Sequence, residues 1–267
     1  MTLPKKPVNL QSNAKMTETL LGNLADMAIE RLREFEQDAL AKHPDGYYVA
    51  YSGGKDSDVI LDLVRRSGVK YTAHHHLTTC DPPEVVWHVK KQDDVSIKRP
   101  ELTMWQLIRK KKMPPRRNAR YCCKVLKEGG GSGRIVVLGI RWKESWPRGK
   151  RKMVESCQKD KTKHFLNVII DWHDMDVWQY IHQQHIAYCS LYDEGFKRLG
   201  CVLCPMRRDI EQQMGRWPKL CRAWERAVKT TFKAGGDWAN AEEYWQWWLD
   251  RDAPSRNKDA TIMMFED

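Results

Sequence analysis

From residue 17 to residue 40, apolar side chains recur at Leu20, Leu21, Leu24, Met27, Ala28, Ile29, Leu32 and Phe35. This three-to-four-residue spacing predicts one amphipathic helix, ended near His43-Pro44-Asp45-Gly46. The period then shortens. Tyr48-Val49-Ala50-Tyr51 reads as a strand, and Val59, Ile60, Leu61, Leu63 and Val64 return to helical spacing after an intervening polar turn. Further strands are expected over Val69–Leu77, Arg134–Arg141 and Phe165–Trp172, with helices opening at Glu84, Trp105 and Trp172-His173-Asp174. Alternation of strands and helices predicts an α/β fold, a parallel twisted sheet flanked by helices, with ligands at the carboxyl ends of the strands. The first 13 or so residues carry no periodicity and read as a polar arm. Towards the end, Trp217, Trp224, Trp238, Trp245, Trp247 and Trp248 suggest a helical extension whose indoles serve packing more than base stacking. The expected organisation is an arm and helix over 1–45, a nucleotide-type domain over 46–208 and a helical extension over 209–267.

The turn that interrupts the first strand–helix pair is Ser52-Gly53-Gly54-Lys55-Asp56-Ser57. Two glycines let the backbone approach a ligand and turn successive N–H groups into one concavity, to which the new helix adds its positive end. Lys55 adds a mobile charge, and Ser52 and Ser57 add hydroxyl donors. The expected ligand is a di- or triphosphate. The glycine-to-lysine spacing is shorter than in the Walker loop.

Composition narrows the setting. With 267 residues, 41% of them hydrophobic, the chain can bury one substantial core. It lacks an apolar run of the roughly 18 residues a membrane helix needs and an apolar stretch behind its first residues, so a cytoplasmic protein without a membrane partner is expected. A formal charge of +11 and a pI near 9.2 favour a polyanionic partner. The basic run Arg109-Lys110-Lys111-Lys112 and Arg116-Arg117 leads into Arg120-Tyr121-Cys122-Cys123, which suits electrostatic capture of a nucleotide or nucleic acid.

Eight cysteines in a cytosolic chain point to metal or redox chemistry. Cys122 and Cys123 are vicinal, while Cys201 and Cys204 have C-x-x-C spacing. Four soft thiolates suit zinc or an iron–sulfur cluster, and spacing alone does not separate the two. Cys80 and Cys157 are the candidates for a sulfur-carrying thiol. Three adjacent histidines, His74 to His76, alternate faces of a strand and cannot easily converge on one ion. After the strand ending Gly139-Ile140-Arg141, Gly139 allows close backbone approach, and Arg141 and Arg148 can fork onto phosphate or sulfate oxygens.

Taken together, these motifs resemble the phosphoadenosine phosphosulfate reductase-like branch of the N-type ATP pyrophosphatases. Ser-Gly-Gly-Lys-Asp-Ser is similar to their pyrophosphate loop, and Gly-Ile-Arg, Glu144-Ser145 and Arg148 are similar to the sulfonucleotide reductase pattern. The resemblance, which covers roughly Gly46 to Arg208, implies an adenine nucleotide alpha-hydrolase-like, Rossmann-like fold. It further implies that ATP or an adenylyl sulfate nucleotide binds with Ser52, Gly53, Gly54, Lys55, Asp56, Ser57, His76, Thr79, Asp81, Gly139, Arg141 and Arg148, with Glu84 beside them. Lys55, Asp56 and Arg141 are the implied catalytic residues, Asp56 holding Mg²⁺. The vicinal pair followed by Gly200-Cys201-x-x-Cys204-Pro205 resembles a [4Fe-4S] ligand set, which assigns Cys122, Cys123, Cys201 and Cys204 to a cluster.

The reductases carry a nucleophilic cysteine in a C-terminal Glu-Cys-Gly-type motif, whereas here no cysteine follows Cys221. The expectation therefore moves to sulfur insertion, as in the DndC-like and SspD-like proteins of DNA phosphorothioate modification. In that reading ATP adenylates an acceptor, DNA ahead of RNA, a cysteine desulfurase supplies sulfur, and the first helix serves packing or homodimerisation. A sulfonucleotide reductase and a non-catalytic nucleic-acid-binding iron–sulfur module are the alternatives.

Overall fold

The computed structural model describes residues 18, 19 and 22–250. A hairpin of two-residue strands, β1 (Glu18–Thr19) and β2 (Gly22–Asn23), precedes α1 (Leu24–Glu34) and α2 (Glu36–Lys42). The single long helix expected from residue 17 is thus two. Asn23 caps the first by accepting from the Ala25 N–H at 2.8 Å, which ends the hairpin and starts the helix there. The backbone breaks at Phe35, and Leu20 and Leu21 lie outside the described residues.

The α/β core follows as β3 (Tyr47–Ala50), α3 (Lys55–Ser67), β4 (Tyr71–His76), α4 (Pro83–Lys90), β5 (Val95–Lys98), α5 (Met104–Lys111), α6 (Tyr121–Leu126), β6 (Ile135–Val137), β7 (Val154–Ser156), β8 (His164–Leu166) and α7 (Asp174–Gln183). Six strands form one sheet in the order β5-β4-β3-β6-β8-β7. All pairings are parallel except that of β7 with β8. The strand expected over 165–172 ends at Leu166. Val168, Ile169 and Ile170 are fully or almost fully buried in a turn, so their apolar run reports burial without strand geometry.

The sheet reverses direction between β3 and β6. From β3 the chain builds outward through β4 and β5, then returns to lay β6 on the other side of β3. The crevice of an open α/β sheet lies at such a reversal, outside the carboxyl ends of the two central strands. Strand β3 leads into the glycine turn there, and β6 leads into Gly139 and Arg141.

Helix α3 buries Val59, Ile60, Leu61, Leu63 and Val64, as their spacing predicts. It is tied to α7 by Tyr180, whose hydroxyl donates to Asp62 at 2.6 Å and accepts from Arg66 at 2.7 Å. Helix α1 packs against α3 and holds the 167–172 turn through a two-pronged Arg31–Asp171 pair at 2.9 and 2.6 Å. Beyond the core, α8 (Ile210–Arg216), α9 (Pro218–Lys229) and α10 (Ala241–Leu249) carry most of the late tryptophans. Trp224 is fully buried, edge-on to Trp105 of α5 at 5.3 Å and stacked on Trp248 at 5.0 Å. These indoles hold the extension to the core. Among the described residues, no helix is long and apolar enough to cross a membrane.

Candidate functional site

The glycine turn and the end of β6 meet closely. Gly53 adopts a left-handed φ of +75°, and a side chain there would run into Val85 and Val89 of α4. Gly139 stands so near the start of α3 that an added Cβ would lie 3.0 Å from the Asp56 carbonyl oxygen. Both glycines are therefore demanded by packing, and together they bring the backbone after β6 against the helix N-terminus. The turn orders itself through Ser57, whose hydroxyl donates to the Gly54 carbonyl at 2.7 Å while accepting from the Gly54 N–H at 3.1 Å. Ser52 donates to the Ser57 hydroxyl at 3.1 Å.

Above this turn two cations and two carboxylates interlock. Lys55 Nζ lies 3.2 Å from Asp56 and 2.9 Å from Asp174. Arg141 reaches the same two acids, Nε to Asp56 at 2.7 Å and Nη2 to Asp174 at 2.9 Å. Lys55 is 5% exposed and Arg141 3%. Burial raises the Asp174 carboxyl, but the hydrogen bond and charge of Lys55, with those of Arg141, outweigh it and hold the group below its ordinary range. Arg148 pairs with Glu144. Its burial, together with the neighbouring Arg198, draws its guanidinium down to about 10, against the pull of Asp56. Three cations, Lys55, Arg141 and Arg148, are thus interlocked with three carboxylates, Asp56, Asp174 and Glu144, around the turn.

Two members of this site escape a reading of the sequence. Asp174 opens α7 and looks like a helix-start acid. Tyr192 sits in a polar loop, yet its hydroxyl accepts from the Lys55 N–H at 3.0 Å, and Trp178 of α7 braces its ring edge-on at 5.2 Å. The signal available was the acidic start of α7 following directly on a buried run, the place where a sheet-end residue meets the crevice.

Of the expected nucleotide set, Ser52, Gly53, Gly54, Lys55, Asp56, Ser57, Gly139, Arg141 and Arg148 come together. The other expected members make their contacts elsewhere. Thr79 accepts from the Met104 N–H at 2.9 Å and helps to start α5. Asp81 accepts from the Thr78 N–H at 2.6 Å and hydroxyl at 2.7 Å, facing the cysteines. Glu84 binds Trp217 at 3.0 Å and Arg216 at 2.6 Å, fastening the helical extension.

His76 and His74 share a face of β4 while His75 takes the other, where its Nδ1 lies 3.0 Å from the Tyr51 carbonyl oxygen. His76 Nε2 is 2.6 Å from the Tyr48 hydroxyl, and His74 stacks on the Tyr48 ring at 4.4 Å. These rings line a groove of about 660 Å³ with Lys98, Arg134 and the glycines at 129–131. Burial, then the charges of Lys98 and Arg134, pull His74 from 6.5 down to about 4. The unfolded chain therefore binds a proton between these two values that the native state refuses. Stability rises with pH across that window, is lost as pH falls through it, and is unaffected above it. His74→Gln is expected to lessen the acid-side fall in thermal midpoint between pH 6.5 and 4. An unchanged fall in the variant would remove His74 from that account.

The two cysteine pairs, 79 positions apart from Cys122 to Cys201, line one cavity of about 170 Å³ with Thr78, Arg120 and Lys127. Cys122 and Cys123 sit on α6. The Cys201–Cys204 turn is pinned to the loop after β4, since the Val202 N–H donates to the Cys80 carbonyl at 2.8 Å. Inside the turn Leu203 is left-handed at φ +52° and donates its N–H to the buried Gln213 at 2.7 Å. A hydrogen bond from Cys122, with Arg120 at 3.4 Å, brings Cys123 down to about 5 despite burial. The Cys80 thiol and the Lys127 ammonium likewise draw Cys201 to about 6 against burial. Hydrogen bonding to Cys123 and burial push Cys122 up, and burial raises Cys204. Cys80 is fully buried and shares the Thr78 hydroxyl with Cys201, each at 3.3 Å. Cys157 lies in the β7–β8 hairpin, past Ser156, which pairs with the first residue of β8. That is the end of the sheet opposite the glycine turn. Among the described residues, no group of three or more His, Cys, Asp or Glu is arranged around a single metal ion.

Comparison with known proteins yields one family match, to the phosphoadenosine phosphosulfate reductase domain over residues 46–207. The uncharacterised protein MJ0066 of Methanocaldococcus jannaschii is 26% identical over 74% of this chain and 45% of its own length. The chain thus spans about half the length of this relative. Adenosine 5'-phosphosulfate reductase of Staphylococcus haemolyticus is 25% identical over 72% of this chain and 84% of its own. Among solved structures, a phosphoadenylyl-sulfate reductase from Candida auris, in a phosphate complex, aligns with a TM-score of 0.48 and 18% identity. The alignment covers 70% of this chain and 98% of that one.

Proposed function

The chain belongs to the phosphoadenosine phosphosulfate reductase domain family, and from that premise we propose that it is a nucleotide-dependent enzyme that cleaves ATP between the α and β phosphates. In this reading the enzyme adenylates a nucleic-acid acceptor, DNA ahead of RNA, for replacement of oxygen by sulfur. The observation that carries it is the pair of carboxylates, Asp56 after the glycine turn and Asp174 at the start of α7, that meet over that turn on Lys55 and Arg141. Two acids there would repel a bare anionic ligand. They suit a triphosphate that arrives with a divalent cation, because Mg²⁺ is commonly held by one or two carboxylates plus substrate phosphates. Hard oxygen donors at both positions fit that ion, which when bound would neutralise phosphate charge.

The chain's own groups supply the rest. An acceptor oxygen attacks the α phosphorus and the α–β bond breaks. The departing pyrophosphate carries its charge to Lys55 and Arg141, which Asp56 and Asp174 already hold in place above the turn. The outer sulfur of a persulfide on a donor such as a cysteine desulfurase then attacks the adenylated centre, and AMP leaves with the acceptor oxygen. A second thiol breaks the remaining S–S bond, which frees the thio product and leaves a disulfide for an external thiol reductant. Four thiols around one cavity, two of them drawn towards thiolate by neighbouring cations and thiols, fit the donor chemistry of a [4Fe-4S] cluster. Cys122, Cys123, Cys201 and Cys204 would hold it, and when bound it would supply electron-transfer or sulfur chemistry.

The names of the reductase relatives favour a second reading, reduction of an adenylyl sulfate nucleotide in the same crevice. Anaerobically purified protein given ATP and Mg²⁺ is expected to release AMP and pyrophosphate, more so with DNA, and to stop when the cation is chelated. Sulfite from adenylyl sulfate, with ATP inert and no need for Mg²⁺, would overturn the ATP reading in favour of the second.

A further inference from the structure

The segment that leaves Arg141 carries Trp146, which among the described large hydrophobic side chains is second in exposure to Met175. Trp146 is 76% exposed and Trp142, four residues earlier, is 41%. Large apolar groups left in water beside a site mark an interaction surface. Lys150 places its ammonium 3.6 Å from the centre of the Trp146 ring, which steadies the indole from one side. Lys143, Lys150 and Lys152 are exposed and have no carboxylate partner among the described residues. Inward from them Arg148 stands among Arg198, Arg141 and Arg151, close enough for their charges to act on it. Arg198 also lines the cysteine cavity. Arg148, Arg151 and Arg141 are paired with Glu144, Glu155 and the acids Asp56 and Asp174, so the cations that face outward beside Trp146 are the three lysines.

We infer that residues 142–152 form a docking platform for an unpaired nucleic-acid segment, with Trp146 stacking a base and the neighbouring lysines holding its phosphates. The inference rests on the nucleic-acid acceptor reading above and names the form of that acceptor. An aromatic face flanked by cations is the arrangement that single strands use, since every base has a stackable face and every linkage a charge. Within a duplex both faces of a base are already covered. A single strand or an everted nucleotide is thus the form that Trp146 can engage.

The test is fluorescence anisotropy of a short labelled oligothymidylate titrated with the intact chain, beside the same label in duplex. The strand is expected to bind more tightly than the duplex. Trp146→Ala should weaken strand binding by about tenfold, with most of the affinity restored in Trp146→Phe. Reversing the three lysines to glutamate should flatten the salt dependence. Wild-type affinity in Trp146→Ala, tighter binding of the duplex, or capture of polyglutamate in place of the oligonucleotide would each overturn the platform. ATP turnover is followed separately. Trp146-dependent strand binding without ATP cleavage would fail the adenylation reading and leave the platform standing, whereas ATP cleavage with Trp146-independent strand binding would do the reverse.

Discussion

Lys55→Ala is expected to lower pyrophosphate release from ATP by about 10²–10³-fold, the usual loss when one preorganised charge-stabilising group is removed from a buried site. The ammonium lies between Asp56 and Asp174 and is almost fully enclosed. On the proposed reading, its removal takes away the ammonium that would meet charge on the leaving pyrophosphate, and it leaves both acids to Arg141 alone. Lys55→Arg should not restore the rate, because a guanidinium is larger and its planar fork does not fit the place of a compact ammonium. The measurement is steady-state pyrophosphate release at saturating ATP, with the thermal midpoint as a check of folding. A rate close to wild type in a folded Lys55→Ala protein would show that Lys55 only balances the two acids, and the catalytic assignment would fall.

The second large effect concerns the cysteines. Anaerobically purified protein is expected to be brown and to contain iron and sulfide, and Cys201→Ser to be colourless with neither. A serine hydroxyl is a harder and weaker donor than thiolate, so iron–sulfur ligation does not survive the change. Cys80→Ser is the informative partner. Cys80 shares the Thr78 hydroxyl with Cys201 but lies outside the assigned ligand set, so this variant should keep its colour. Iron retained in Cys201→Ser and lost in Cys80→Ser would move the assignment to the fifth thiol. Stoichiometric zinc with no iron in the wild type would replace the cluster by a zinc site.

These two predictions draw on features of very different legibility. The glycine turn could be read from a few consecutive residues, because strand, turn and helix start each leave a local mark. A β-branched run, two glycines and a resumed helical period follow one another within the span from Tyr48 to Val64. The fold class was legible for the same reason, and the six-stranded, mostly parallel sheet agrees with it. Strand lengths were not legible. Val168, Ile169 and Ile170 are as buried as any strand residue while lying in a turn. The long first helix failed similarly, since the spacing that marks a helical face passes unbroken over the hairpin before Leu24 and the break at Phe35.

What the sequence by itself determined is therefore the local chemistry: a glycine turn with Lys55 between a strand and a helix of a parallel sheet, two thiol pairs, and cations in excess. Only the tertiary structure decided which of these groups share a site. Placing β6 beside β3 sets Arg141 against Asp56, and the return of α7 to the same crevice adds Asp174. Beside it, β4 pairs in parallel with β3 and sets His76 against Tyr48, while the loop that follows commits Thr79 to the start of α5 and Asp81 to Thr78, near Cys201. The physical reason is range. Backbone propensity and side-chain period act over a few residues, whereas pairing across the sheet joins Tyr48 to Val136, 88 positions on, by burial that no short window contains.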